Sequence, residues 1–216
     1  MDKQDVQVER SPLWELEGLT KVFPGVRAVD QLSMRIFPGE IHGLLGENGS
    51  GKSTLVKCLS GVHQPTDGRM LHRGVPVSIH DPTVARSLGV ATIFQELSLV
   101  PTLSVAENIY LGRLPKRSAL RIVVNWRSMR EQAADLLDRL GIEVDPQDTV
   151  ANLSVAEQQM VEIAKALSQD ATLFIMDEPT AAIGLEEIDR LHEIVRTMAD
   201  QGYAIIYISH RLDEVV

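Results

Sequence analysis

Residues 46–53 read GENGSGKS, with Thr54 next, which places three glycines, two serines and one lysine in eight positions. This spacing, G-x-x-x-x-G-K-[ST], suits one task. Gly46, Gly49 and Gly51 let the backbone curl, so that the N–H groups of Glu47, Asn48, Ser50 and their neighbours point inward at phosphate oxygens. Lys52 is long enough to reach β- and γ-phosphates, and the Ser53 hydroxyl can ligate Mg²⁺. A second pair of reactive groups, Asp177 and Glu178, ends the apolar run 172–176 and precedes Pro179. Asp177 is suited to hold Mg²⁺ through water. Glu178 is suited to a base that orients or deprotonates an attacking water. Together the two motifs describe phosphoryl transfer from a nucleoside triphosphate.

Such groups need rigid supports. An apolar strand over 41–45 leads into the glycine loop, and a helix starts near Lys52, whose positive dipole end adds to the anion site. Two further strands, 172–176 and 204–208, are near-continuously apolar, as strands covered on both faces are. A buried strand is expected over 90–94. Alternation with Gly74 and Pro76 predicts an antiparallel hairpin over 68–79. Between these, 97–167 is mainly helical. Ser104 and Glu107 form a capping box, and Met129, Ala133, Leu136, Leu137 and Leu140 share one helical face. The stretch 112–124 contains proline and basic residues and is expected to be a loop. The fold class is therefore α/β, with a helical lobe inserted into an α/β core.

The 216 residues suffice for one domain with a buried core. No apolar run approaches the ~18 residues that span a bilayer. The start is polar and acidic, without a secretion signal, so a cytoplasmic location is expected. Cys58, the lone cysteine, excludes an internal disulfide and is expected to be a buried thiol. A net charge of −9 argues against nucleic acid as partner. Of the six histidines, His42, His63, His72, His80 and His192 show no metal-ligand spacing and are taken as structural or exposed.

The stretch between the two motifs narrows the class. Residues 153–167, LSVAEQQMVEIAKAL, resemble the signature LSGGQ of ABC-type ATPases and the helix after it. Gln95, in ATIFQE, resembles that family's Q-loop, and His210, in YISHR, its switch histidine. The order of all five motifs agrees, and the resemblance covers nearly the whole chain. FPGVRAVD, GENGSGKST, NWRSM, IMDEPTAA and YISHRLDEV are most similar to the ATPase subunits of simple-sugar importers, which carry two such halves in tandem. The chain resembles the first half.

The resemblance implies an ABC ATPase fold: a P-loop core with a mainly parallel sheet over about 11–96 and 168–216, an N-terminal antiparallel β subdomain, and the helical lobe over 97–167. The whole, 1–216, would be a single nucleotide-binding domain that continues in the family beyond this C-terminus. It implies ATP and Mg²⁺ as cofactors. Phe23 would stack on adenine. Gln95 would ligate Mg²⁺ and sense a membrane partner. His210 would touch the γ-phosphate. Ser154, Val155, Ala156 and Glu157 would contact the ATP held by a second ABC half. The implied partners are that half, a transmembrane permease and, indirectly, a periplasmic or extracellular sugar-binding protein. The implied location is the cytoplasmic face of the membrane.

The alternatives are a DNA-repair or translation ATPase of the same class, a nucleotide-gated regulatory module, and an importer of another cargo such as a nucleoside. The sequence departs from the family pattern where Val155 and Ala156 replace both signature glycines, where Glu157 replaces glutamine, and at Gly184 in the segment 181–184. These departures imply that the ATP site completed by the LSVAE segment is weaker than the one built on Lys52 and Glu178.

Overall fold

A computed structural model describes residues 11–47, 49–113, 124–181 and 183–210. Asn48 and most of the loop expected over 112–124 lie outside these residues. Two four-stranded sheets organise the chain. The first is antiparallel, ordered β2-β1-β4-β5, from β1 (Trp14–Phe23), β2 (Val26–Ile36), β4 (Asp67–His72) and β5 (Val75–Val77). The second is parallel, ordered β3-β8-β7-β6, from β3 (Ile41–Leu45), β6 (Val90–Ile93), β7 (Leu173–Asp177) and β8 (Ala204–Ser209).

The expected hairpin is β4–β5. Its turn, Arg73-Gly74, has φ of 52° and 76°, the left-handed pair that a two-residue hairpin requires. Pro76 is tolerated because β5 is the outer strand of its sheet. The strand expected over 90–94 ends one residue early: β6 stops at Ile93, and Phe94 is 43% exposed.

The continuous apolar runs have a simple cause. Successive residues of a strand face opposite sides. Leu173 and Ile175 of β7, with Ala204, Ile206 and Ile208 of β8, enter one core with the antiparallel sheet and α1 (Lys52–Leu59). Phe174, Met176, Ile205 and Tyr207 enter the other, with α3 (Val105–Ile109), α4 (Trp126–Arg139), α5 (Val155–Leu167) and α6 (Leu185–Asp200). Both faces of the sheet are thus apolar, and the strand ends are fixed between two packed layers. Cys58 is fully buried in the first core, and burial pushes its thiol pKa up. β3 is the outer strand of the parallel sheet, and its Ile41 and Leu45 remain about two-fifths exposed. Among the described residues no helix is long and apolar enough to cross a membrane.

Local capping sets the helix starts. The expected capping box of Ser104 with Glu107 forms on α3, and a second, of Ser154 with Glu157, opens α5. A helix the sequence analysis did not single out, α2 (Pro82–Ser87), is capped by Asp81, whose carboxylate accepts from the N–H groups of Thr83 and Val84. Glu107 accepts from the Ser104 hydroxyl at 2.7 Å and from its N–H at 2.8 Å, and these bonds hold its carboxyl below the usual 4.5. A depressed carboxylate pKa stabilises the fold above the ordinary value and stops doing so as pH falls through the folded one. Glu107→Ala is therefore expected to lower Tm by about 2–4 °C at pH 7. In thermal melts the deficit should shrink below pH 4.5.

Candidate functional site

A parallel sheet puts the carboxyl ends of all its strands on one edge, where ligands bind in folds of this kind. Here β3 runs into the glycine loop, β7 ends at Asp177, β8 ends at Ser209 before His210, and β6 ends at Ile93 two residues before Gln95. The register pairs Leu45 with Ser209 and Asp177 with Ile208, so these ends are level. β8 lies between β3 and β7. His210 therefore follows the strand that separates the lysine loop from the acidic pair.

The loop has the shape its glycines suggest. Gly49 and Gly51 take φ of 84° and 95°. A Cβ on Gly51 would lie 2.0 Å from the Ala28 carbonyl oxygen, and one on Gly46 would lie 2.6 Å from the Ser50 hydroxyl. Gly51 opens α1 with no side-chain cap, which leaves that helix's first N–H groups for an outside anion. Lys52 is buried and folded back along the loop, donating to the carbonyls of Gly46 and Glu47, the latter at 3.0 Å. Ser53 is exposed at the loop mouth, with Thr54 half-buried behind it.

Glu178 is set by its backbone. Its φ of 50° is left-handed, uncommon for a residue with a side chain. The conformation is held by its N–H donating to Ile208 O (3.1 Å) and its carbonyl accepting from Ala181 (3.2 Å). One carboxylate oxygen lies 3.3 Å from His210 Nδ1. The glutamate side chain is 19% exposed and the histidine 52%. Asp177 is half-buried; burial, then the neighbouring Glu178, push its pKa above the ordinary 3.8, against the pull of Lys52 and Lys57. This carboxylate is short of positive charge. Its oxygens, like those of Ser53 and Gln95, are hard donors of the kind that suits Mg²⁺.

Phe23 ends β1 opposite Val26, at the tip of the hairpin whose second strand holds the Ala28 that Gly51 abuts. Lys21 Nζ sits 5.1 Å from the ring centroid and donates to Gln64 O, and His63 meets the ring edge-on at 5.3 Å. Of the other histidines, His72 stacks on Trp14, His42 and His80 lie beside Glu40 and Asp81, and His192 meets Tyr207. Gln95 is exposed in the loop after β6. Ser154, Val155, Ala156 and Glu157 form the start of α5, and no hydrogen bond joins them to the lysine loop among the described residues. The left-handed backbone of Glu178 and the contact of Gly51 with β2 leave no trace in residue spacing.

A phosphate-cradling loop, a buried lysine and an acidic pair on the carboxyl edge of a parallel sheet define a P-loop nucleotide-binding domain. The family model described as ABC transporter matches residues 29–181, and the chain belongs to that family. It is 52% identical, over 95% of its length, to a Streptomyces avermitilis protein named ribose import ATP-binding protein RbsA 2. It is 53% identical over 94% to ribose import ATP-binding protein RbsA 1 of Rubrobacter xylanophilus. The chain spans about 40% of the length of these curated relatives. Among solved structures it is similar to the ATP-binding cassette MJ1267 in its ADP conformation (TM-score 0.83, 26% identity, 94% of this chain and 83% of that one). It is also similar to cbiO1 of Clostridium perfringens, part of an ABC transporter complex (TM-score 0.80, 26% identity, 95% of this chain and 81% of that one).

A carboxyl whose folded pKa is raised favours folding at low pH and loses that contribution as pH rises through the folded value. Asp177→Asn is accordingly expected to raise Tm at pH 7 by about 2–4 °C without Mg²⁺. The gain should vanish below pH 3.8. Metal-free melts at the two pH values check it.

Proposed function

We propose that this domain binds ATP with Mg²⁺ and hydrolyses it, and that the cycle energises import of a sugar through a membrane permease. The observation that carries the hydrolytic reading is Glu178, held in a left-handed backbone at the end of β7 with its carboxylate 3.3 Å from His210. Strained backbone of this kind persists where the surroundings over-determine it, and it collects at functional sites.

The chemistry follows from the residues. The triphosphate tail enters the loop over 46–53, where backbone N–H groups and the open start of α1 meet its oxygens. Lys52 exchanges the carbonyls of Gly46 and Glu47 for β- and γ-phosphate oxygens. Phe23 offers a ring for the adenine. Ser53, Gln95 and, through water, Asp177 would hold Mg²⁺, which would supply positive charge against that of the triphosphate. Glu178 accepts a proton from a water aligned in-line with the γ-phosphorus. His210, touching Glu178, faces the transferring group and steadies its charge, so catalysis is mainly electrostatic. Ser154, Val155, Ala156 and Glu157, at the exposed start of α5, would close over the ATP of a second ABC half. The methyl of Ala156 and the charge of Glu157 make that contact the weaker one.

A groove of ≈ 400 Å³ opens between α2, β6 and α5, lined among others by Val62, Phe94, Arg86, Ser98, Glu162 and Lys165. Val62 and Phe94 are 51% and 43% exposed there. It supports the permease as partner, because it adjoins Gln95 and presents apolar side chains without cover. A sugar as cargo rests on the names of the relatives, and a periplasmic or extracellular binding protein follows from it.

Glu178→Gln in the whole protein with its permease is expected to cut phosphate release about 10²–10⁴-fold while ATP still binds. Phosphate-release assays beside equilibrium binding decide it; undiminished release would remove Glu178 from the reaction.

A further inference from the structure

The ring of Phe23 finds little support in the hairpin tip that carries it. Val22 and Val26 beside it are 41% and 56% exposed, and Gly25 turns the tip with φ of 82°. Support comes instead from the chain that leaves α1. The His63 N–H donates to the Lys57 carbonyl near the end of that helix at 2.8 Å. The His63 ring then meets Phe23, with centroids 5.3 Å apart and the planes at 71°. Thr66 stitches β1 to the same segment: its N–H donates to Thr20 O at 2.7 Å, and its hydroxyl accepts from the Val22 N–H at 3.0 Å.

Lys21 completes the arrangement. It stands two residues before Phe23 in β1 and so on the same side of the strand. Its Nζ donates to Gln64 O at 2.7 Å and lies 5.1 Å from the Phe23 ring centroid. That is within the ~6 Å over which an ammonium is drawn to an aromatic face. Burial raises the Cys58 thiol pKa and the Lys21 charge opposes it, so the ammonium lies near α1 as well as near the ring.

Joining strand to segment does not require this lysine, because the two Thr66 bonds already do so. A lysine ordered here gives up rotamer freedom and part of its hydration. An ammonium has three protons to donate. Among the described residues, the Gln64 carbonyl is its one acceptor. What it gains beyond that bond is the ring.

We infer that Lys21 is a positioning residue for Phe23, which fixes the ring that meets the base to the segment leaving α1. The inference rests on the reading of Phe23 given above. Lys52 opens α1, and Lys57 and His63 lead from its far end to the ring. The helix that starts the phosphate site thus also carries the support of the base site. A ring freed to turn weakens the base contact and leaves the phosphate contact untouched.

The test is calorimetric titration of the protein with ATP and with inorganic tripolyphosphate, which has the phosphates and no base. Lys21→Met is expected to weaken ATP about three- to tenfold and to leave tripolyphosphate unchanged. Lys21→Arg, which keeps the charge and the donors, should retain most of the ATP affinity. In a Phe23→Ala background Lys21→Met should change neither affinity further. Unaltered ATP affinity in Lys21→Met overturns the inference, and so do equal losses for both ligands, which report a loosened fold. A loss that persists in full without Phe23 also overturns it, because the lysine then meets the nucleotide itself. A wild-type protein that binds no ATP, or binds it no tighter than tripolyphosphate, fails earlier and removes the reading of Phe23 on which this inference stands.

Discussion

One backbone contact governs the site. Gly51 lies against the Ala28 carbonyl of β2 with φ of 95°, and a single methyl there would lie 2.0 Å from that oxygen. Neither the space nor the dihedral admits a side chain. The contact seats the glycine loop on the antiparallel sheet and starts α1 at Lys52. It also carries the hairpin tip with Phe23 to the same side. Lys52, tied back to Gly46 and Glu47, keeps the loop curled around the place a phosphate would fill. Without this seat, the sheet register alone would relate the base of the lysine loop to the acidic pair, and the loop itself would lose its support.

The acidic side depends on a different support. β7 and β8 are buried on both faces, so Asp177 and His210 lie at the ends of strands packed on either side. The left-handed turn at Glu178 costs roughly 1–2 kcal/mol. Its N–H bond to Ile208 and the adjoining turn to Ala181 hold it against that cost. The result separates two neighbouring carboxylates by task. Asp177 stays at the strand end, half-buried and short of positive charge, while Glu178 swings toward His210. Adjacent residues could not diverge this way in extended backbone without one of them turning into the core.

Much of this was legible in the sequence because it is local. The glycine loop, the apolar strands at 41–45 and 204–208, the β4–β5 hairpin and the two capping boxes each depend on residues within a few positions of one another. Asp81 before Pro82 is an equally local helix start, and α2 went unread although the signal was there. Hydrophobicity alone places Phe94 in a buried strand; one position past the sheet the same residue is exposed. What could not be read were the long-range contacts. Ser98 meets Glu162 and Lys165 across more than sixty residues, and Gly51 meets Ala28 only because β2 folds back beside α1. Residue type carries no record of such meetings.

The account stands on a loop that grips a triphosphate because Gly51 has no side chain. The most direct measurement is ATP affinity, by calorimetry, of the unaltered protein and of Gly51→Ala, with far-UV circular dichroism to follow the fold. The account predicts clear binding by the former and a loss of at least about 100-fold in the latter with its secondary structure retained. Equal affinities, or no heat from the unaltered protein, would contradict it.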